Sequence, residues 1–192
     1  MHIVIVVEEN HDYLQIIGSS AAPYINALAA DSNAALFTSS YGLTHPSQPN
    51  YLMLYSGSNQ GVINDNLPAG VPFTTPNLGS SLIASGRTFA GYSEDQPSAG
   101  YTGTVYGAYA RKHNPWVDWQ GADSNGVPAE VNLPLTSFPS VYDSLPTVSF
   151  VIPNQNNDMH NGTNPTTITT GDAWLRTHLD GYIRWARTNG SL

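Results

Sequence analysis

The chain has 192 residues, of which 10% are charged, and fourteen Asp and Glu against six Lys and Arg give a formal net charge of −8. This length fits one domain, and the acidic balance excludes a nucleic-acid backbone as the main partner, because binding one requires a basic face. It does not exclude a phosphate substrate, since a bound cation reverses the local sign of charge. The absence of cysteine excludes disulfides, thiolate metal sites and a cysteine nucleophile.

The composition also bears on where the protein acts. Few charges and many amides and hydroxyls are more typical of exported proteins, which predicts a secreted or periplasmic location. No apolar stretch approaches the roughly 20 residues that a membrane span needs, so we expect no stable membrane insertion. The first residues show no basic region followed by a cleavable apolar segment, so we expect a signal peptide to be absent or already cleaved.

Apolar runs predict the strands of the core. Residues 3–7 (IVIVV), 88–92 (TFAGY) and 147–152 (TVSFVI) indicate buried strands, and 35–41 (ALFTSSY) indicates a weaker fourth. Continuous apolar runs are typical of strands that are covered on both faces in a parallel sheet. Residues 113–145, rich in Pro, Gly, Asn and Asp, show no periodicity and predict an irregular excursion from the sheet within a single domain spanning 1–192.

Helical patterns alternate with these strands. Short helices are predicted at 23–30 and 80–85, and another over 50–55, where Pro49 precedes the pattern. The clearest helix covers 172–190, with apolar residues three and four apart, and Asp172 is expected to cap its N-terminus and Gly190 its C-terminus. Alternating strands and helices predict an α/β fold with a mostly parallel sheet between helical layers.

Polar clusters follow each of the three main strands. Glu8, Glu9 and Asn10 follow the first, SEDQ (93–96) the second and PNQNNDMHNG (153–162) the third. Ligands of open α/β sheets bind at the carboxyl ends of the strands, so we expect these loops to converge. Glu8 and Glu9 could simply mark the exit into water, but strand alternation turns one carboxylate inward, where with the Asn10 amide it would offer hard ligands to a cation.

Ser47 is predicted at, or just before, a helix N-terminus. It could be a capping serine. The same geometry favours a bound anion, and a cation at the hydroxyl would make it a nucleophile.

Three further residues are candidates for the same site. Asp158 and His160 lie in an amide-rich loop after a buried strand. His113 stands beside Lys112 and Arg111, a positive pair that suits an anionic substrate, although a surface loop would explain it equally well. His45 and His178 are expected in a loop and on a helix surface.

Several motifs in order resemble the phosphoesterase family of acid phosphatases and non-specific phospholipases C, within the alkaline phosphatase superfamily. They occur at 6–13 (VVEENHDY), 44–58 (THPSQPNYLMLYSGS), 91–97 (GYSEDQP), 110–115 (ARKHNP), 150–160 (FVIPNQNNDMH) and 171–175 (GDAWL). The resemblance implies an alkaline phosphatase-like core.

The resemblance also implies roles for particular residues. It implies a metal site that includes Glu9 and Asn10, with Asp158 as a further ligand, and one or more divalent ions: calcium, magnesium, manganese or zinc. Ser47 matches the nucleophile, with Thr44 as the second choice. The remaining implied residues are Asn66 and Lys112 for phosphate binding, and His113 and His160 beside the phosphate or leaving group.

One departure from the family pattern concerns the end of the chain. Family members continue past the long helix into an apolar strand that ends on an acidic cluster, whereas this sequence stops at Leu192. The resemblance therefore predicts a fold that is incomplete at the C-terminus, and a metal site lacking some ligands.

These observations predict a metal-dependent phosphoesterase that hydrolyses small phosphate monoesters through a phosphoserine intermediate. A phospholipase C or phosphodiesterase using the same site is the alternative enzyme. A non-catalytic module that binds carbohydrate through its Tyr, Trp and Asn side chains is the alternative of a different class, although such modules are more often all-β. The oligomeric state is not predicted.

Overall fold

A four-stranded sheet forms the centre of the computed structural model, which describes all 192 residues. All of its pairings are parallel, in the order β1-β6-β2-β5. The strands are β1 (Ile3–Val6), β2 (Phe89–Ser93), β5 (Asn132–Pro134) and β6 (Val148–Ile152). A short antiparallel hairpin, β3 (Val105–Tyr106) and β4 (Tyr109–Ala110), lies outside the sheet. The predicted α/β class and its three main strands are confirmed.

Five α-helices accompany the sheet, and short 3₁₀ helices occupy much of residues 111–144. The α-helices are α1 (Tyr13–Ile16), α2 (Pro23–Ala29), α3 (Ser47–Ser56), α4 (Leu78–Ala84) and α5 (Thr166–Asn189). The Gly190 C-cap of α5 is left-handed, as predicted. None of these helices combines the length and the apolar character that a membrane span requires.

Apolar side chains on the two faces of the sheet build two separate cores. Phe150 and Ile152 of β6 face one core, which includes Tyr55 and Leu52 of α3. Val151, between them, faces the other, which α5 covers. This alternation is that of a strand buried on both faces, and it makes the molecule a three-layer arrangement of helix, sheet and helix.

A glycine in β2 allows an aromatic ring to lie against the sheet. A Cβ at Gly91 would clash with the indole of Trp116, which is fully buried and donates from Nε1 to Oδ1 of Asn132 at 2.9 Å. The indole thereby joins β2 and β5 on one face, and the loop containing it, which includes His113, is fixed above the carboxyl ends of the strands.

Two expectations about strands are wrong. Residues 35–41 form no strand, and their large apolar side chains, such as the 77% exposed Phe37, lie at the surface without a partner strand. The fourth strand is instead β5, inside the segment that was expected to be an irregular excursion. Propensity misses β5 because it has three residues and pairs only with β2.

The role expected for Asp172 is also wrong. Helix α5 begins six residues earlier, at Thr166, with Pro165 as its N-cap. The Asp172 carboxylate instead accepts the backbone N–H groups of Tyr24 (3.1 Å) and Ile25 (2.8 Å). These are first-turn donors of α2, so Asp172 caps a neighbouring helix and fastens α2 to α5.

Candidate active site

The loops that follow β1, β2 and β6 converge at the carboxyl edge of the sheet, as predicted. The N–H of Glu9, after β1, donates to the carbonyl of Asp158, after β6, at 2.7 Å. The N–H of Asn154 donates to the Glu94 carboxylate, after β2, at 2.9 Å. Backbone hydrogen bonds therefore hold the three polar loops in fixed relative positions.

Glu9, His113 and His160 form the centre of the candidate site. Nε2 of His113 lies 3.1 Å from Oε1 of Glu9, and Nε2 of His160 lies 3.6 Å from Oε2. The His113 side chain is 1% exposed and that of Glu9 9%, whereas that of His160 is 25% exposed. The cluster is therefore closed on the His113 side and open to solvent at His160.

Asp158 lies behind the two imidazoles and is fully buried. Its Oδ2 is 3.1 Å from Nδ1 of His113, and its Oδ1 accepts the backbone N–H of His160 at 2.8 Å. A carboxylate on Nδ1 fixes the ring and turns Nε2 toward Glu9. Both carboxylate oxygens of Asp158 are thus engaged within the protein, in holding the histidines.

Opposing effects set the protonation of the central pair. Burial disfavours the charged form of Glu9, but the neighbouring His113, Ser47 and His160 outweigh it and lower the pKa of Glu9. Burial likewise disfavours protonated His113, but Asp158 and Glu9 outweigh it and raise the pKa of His113. The site thus favours an ionised Glu9 and attracts positive charge.

Glu8 leaves β1 toward the other face and has no such partners. Both of its carboxylate oxygens are buried without a hydrogen bond. Burial, reinforced by Asp158, Asp172 and Glu94, raises the pKa of Glu8 to about 9. The view that both acids merely mark the exit of the strand into water is therefore wrong, and Glu8 carries a proton at neutral pH.

Ser47 is the first residue of α3 and contributes to the low pKa of Glu9. The helix N-cap is Pro46, which has no side-chain cap, so the alternative of a capping serine is wrong. Of the next two residues, Gln48 donates its N–H to Asp65 and Pro49 has none to donate. Thr44, the second choice for a nucleophile, is only partly buried and has a 3.4 Å contact with the carbonyl of His45.

Lys112 connects the site to the loop that contains Asn66. Its Nζ lies 2.9 Å from Oδ2 of Asp65 and 3.5 Å from Nε2 of His160. The amide of Gln48 donates to the carbonyls of Asn64 (3.2 Å) and Asn66 (2.7 Å). The Asn66 side chain is exposed and makes no hydrogen bond within the protein.

The remaining predicted residues lie at the edge of the site or outside it. Asn10 is exposed, and its side chain makes no hydrogen bond within the protein. It has a φ of 57°, and Met159, between Asp158 and His160, has a φ of 73°. A positive φ is uncommon in residues other than glycine, and it persists where the surrounding structure holds the backbone in that conformation. His45 and His178 are exposed in a loop and on α5, as expected.

The residues of the central cluster fit a metal ion. Nε2 of His113 and Oε2 of Glu9 are buried without aligned hydrogen-bond partners, even though the two side chains are in ion-pair contact. One ligand atom from each of Glu9, His113 and His160 lies within 4.8 Å of the others. One carboxylate and two imidazoles, with one side open, is a donor set typical of a catalytic metal site.

Sequence reasoning missed two residues that support this site. Asp65 pairs with Lys112 across 47 positions of the chain, and no local pattern marks that contact. Tyr51 stacks on His113 with ring centroids 4.9 Å apart. Tyr51 lies one helical turn after Ser47, so helical spacing, which puts residues four apart on one face, was the available signal.

Comparison with known proteins identifies the family of the chain. The Phosphoesterase family model matches residues 19–192, and the chain belongs to that family, whose members hydrolyse phosphate esters. The resemblance drawn from the sequence motifs is thereby confirmed. No solved structure matches the chain significantly.

Curated relatives carry phosphatase names. The chain is 48% identical over 193 residues to a phosphatidylinositol-3-phosphatase of Mycobacterium tuberculosis, covering 100% of this chain and 60% of the relative. It is 34% identical to an acid phosphatase of Aspergillus fumigatus, covering 89% of this chain and 38% of that protein. A phosphate-repressible acid phosphatase of Penicillium chrysogenum is 31% identical, with 78% and 37% covered. The chain thus spans 60% or less of the length of these relatives.

Proposed function

We propose that this chain contributes the active site of a metal-dependent phosphatase, which hydrolyses small phosphate monoesters with Ser47 as nucleophile. The observation that carries the proposal is the position of Ser47, at the start of α3 and beside the Glu9 carboxylate of the Glu9–His113–His160 cluster. The names of the relatives support phosphatase activity in this family. The low content of charged residues supports a role outside the cytoplasm.

Glu9, His113 and His160 would hold the metal in this proposal, with Asp158 fixing His113 from behind. This differs from the roles that the resemblance implied, because the two histidines become ligands and Asp158 a positioning residue. A bound divalent cation would supply positive charge that neutralises the phosphoryl oxygens and lowers the pKa of the serine hydroxyl. Imidazole ligands suit zinc better than calcium, magnesium or manganese.

The protein's own residues carry the chemical steps. Oγ of Ser47 forms a bond to phosphorus while the bond from phosphorus to the leaving oxygen breaks, and the proton lost by Ser47 balances the one that the alcohol gains. Water then attacks the phosphoserine, which releases phosphate and restores the hydroxyl. Nζ of Lys112, close to His160, is placed to donate a hydrogen bond to a phosphoryl or leaving oxygen.

Phosphodiesters and phospholipids are the rival substrates. The same nucleophile and metal would serve them, although the relative from M. tuberculosis is named as a phosphatase of a phosphorylated lipid, and a phosphatase removes a monoester phosphate. The names of the fungal relatives favour monoesters. No observation favours a carbohydrate-binding module, since the fold is α/β and the family consists of phosphoesterases.

Replacing the nucleophile tests the proposal. Ser47→Ala should lower kcat for an aryl phosphate by about 1,000-fold or more, since a covalent route loses its attacking group. Thr44→Ala is the matched comparison and should retain activity. Mass spectrometry of wild-type protein denatured during turnover should find the phosphoryl group on Ser47. Full activity in Ser47→Ala, or a phosphoryl group on Thr44, would overturn the assignment.

A further inference from the structure

A cavity of about 400 Å³ adjoins the candidate active site. Its volume suits a small molecule. Polar side chains form most of its wall, namely Gln48, Asp65, Asn66, Thr104, Lys112 and Gln155. Lys112 lines this cavity and also contacts His160. The cavity therefore lies next to the Glu9–His113–His160 cluster.

Each cationic group in the wall already has an anionic partner. Lys112 is paired with Asp65 at 2.9 Å. The guanidinium of Arg111 donates to Oδ1 of Asp118 at 2.8 and 3.0 Å, and also to the carbonyl of Thr102. A cavity with paired charges does not select a second phosphate or a carboxylate, so its occupant is neutral.

Several other groups in the wall are free to bind that occupant. The side chains of Asn66, Thr104 and Gln155 make no hydrogen bond within the protein, although all three line the cavity. Leu67 and Val105, which are 52% and 64% exposed, add apolar surface beside them. Donors and acceptors interleaved with small apolar surfaces match a polyhydroxylated ring, whose hydroxyls and C–H groups alternate.

Hydrogen bonds from Gln48, the residue after Ser47, connect the start of α3 to the wall of the cavity. Gln48 follows Ser47 in α3, and its backbone N–H and side-chain amide hold Asp65 and the carbonyls of Asn64 and Asn66. A phosphoryl group at Ser47 would therefore place its alcohol portion beside the cavity.

We propose that this cavity is the leaving-group subsite, and that it selects phosphate monoesters of neutral, polyhydroxylated alcohols. The proposal rests on the proposed function for the position of the phosphoryl group. It assigns the recognition of hydroxyls to Asn66, Thr104 and Gln155, none of which reacts with phosphorus.

A pair of substrates that differ only in ring hydroxyls tests the subsite. The experiment measures kcat/KM for myo-inositol 1-phosphate and for cyclohexyl phosphate with the wild type and with the double variant Thr104→Val/Gln155→Met. The substitutions preserve side-chain size but remove the hydrogen-bonding groups. The kcat/KM for myo-inositol 1-phosphate divided by that for cyclohexyl phosphate should be about tenfold lower in the variant than in the wild type, since each lost hydrogen bond contributes a factor of roughly three or more.

A threonine outside the cavity provides the control. Thr136 is exposed and makes no side-chain hydrogen bond, so Thr136→Val should leave the ratio at its wild-type value. A ratio within twofold of wild type in the double variant would overturn the subsite, as would an equal fall in Thr136→Val.

Calorimetry separates failure of the subsite from failure of the proposed function. In a Ser47→Ala background, dissociation constants for the two monoesters should show the same dependence on Thr104 and Gln155 as the kinetic ratio. If the wild type hydrolyses neither of these esters nor an aryl phosphate, the phosphatase proposal fails, and these binding constants alone decide the subsite. Equal affinity for both esters, unaffected by the double variant, would refute it.

Discussion

Glu8 and Glu9 are neighbours in the sequence, yet they enter opposite environments on leaving β1. Glu9 meets two imidazoles and a serine, which outweigh burial and lower its pKa, whereas burial, reinforced by three other acids and uncompensated by any hydrogen-bond donor, raises the pKa of Glu8 to about 9. Both residues are glutamates, and they differ only in the side of the strand from which their side chains project. The comparison teaches that carboxylate chemistry here is decided by partners, since both side chains are largely buried.

The largest expected effect separates the two acids by activity. Glu9→Gln should lower phosphatase kcat/KM by about 100-fold or more and should reduce bound metal, because the charged ligand is lost. Glu8→Gln, the matched control, should stay within about threefold of wild type, because Glu8 is already neutral. Steady-state kinetics and elemental analysis of the purified variants measure both effects. Equal losses of activity and of bound metal in the two variants would contradict the different roles of Glu9 and Glu8.

A second variant replaces His160, the more exposed histidine of the cluster around Glu9. His160→Ala should weaken metal affinity and lower kcat/KM by about 10- to 100-fold, whereas His178→Ala on the surface of α5 should change neither. Isothermal titration calorimetry with the metal ion measures the metal affinity of each protein. Activity lost at unchanged metal affinity would instead make His160 a substrate-contacting group.

The pH dependence of stability tests the raised pKa of Glu8. The folded-state pKa of about 9 lies above the ordinary value of 4.5, so the folded state binds the extra proton, and wild-type stability falls as pH rises between those values. Glu8→Gln removes this dependence, so its advantage over wild type should grow by about 1 kcal/mol per pH unit in that interval. Urea unfolding in EDTA at pH 5 to 9 measures it, and parallel curves for both proteins would contradict the raised pKa.

The smallest expected effect concerns Asp172, one of the acids that face Glu8. Asp172→Asn removes one of the two oxygens that accept from the first turn of α2, and it should cost about 1 kcal/mol in the free energy of unfolding. Asp123→Asn, at an exposed acid without hydrogen bonds, is the control. A gain in stability would contradict the capping role of Asp172.

Much of the fold could be predicted from the sequence, because buried parallel strands are continuous apolar runs. Ile3–Val6 and Val148–Ile152 were found this way, and so was the convergence of the loops that follow them. Strand β5 could not be found, because its place in the sheet depends on Asn132 meeting Trp116, a tertiary contact.

The sequence named candidate residues for the site, and the structure brings Glu9, His113 and His160 together, but their contacts with one another could not be predicted. Arg111 and Lys112 looked like one positive pair, yet Asp118 holds Arg111 in the structure while Lys112 faces His160. The contact of His113 with Asp158 spans 45 positions. Such pairings depend on the assembled fold, so residue type and order could not distinguish a ligand from the group that positions it.

Gln48 has a consequence for any attempt to change substrate preference. Its hydrogen bonds connect the start of α3 to the 64–66 loop, so replacing that loop would displace Ser47 as well as reshape the cavity. The opposite wall, at Thr104 and Gln155, has no such connection to Ser47. Directed evolution toward new alcohols should therefore accumulate its productive substitutions on that wall and leave the Gln48 side unchanged.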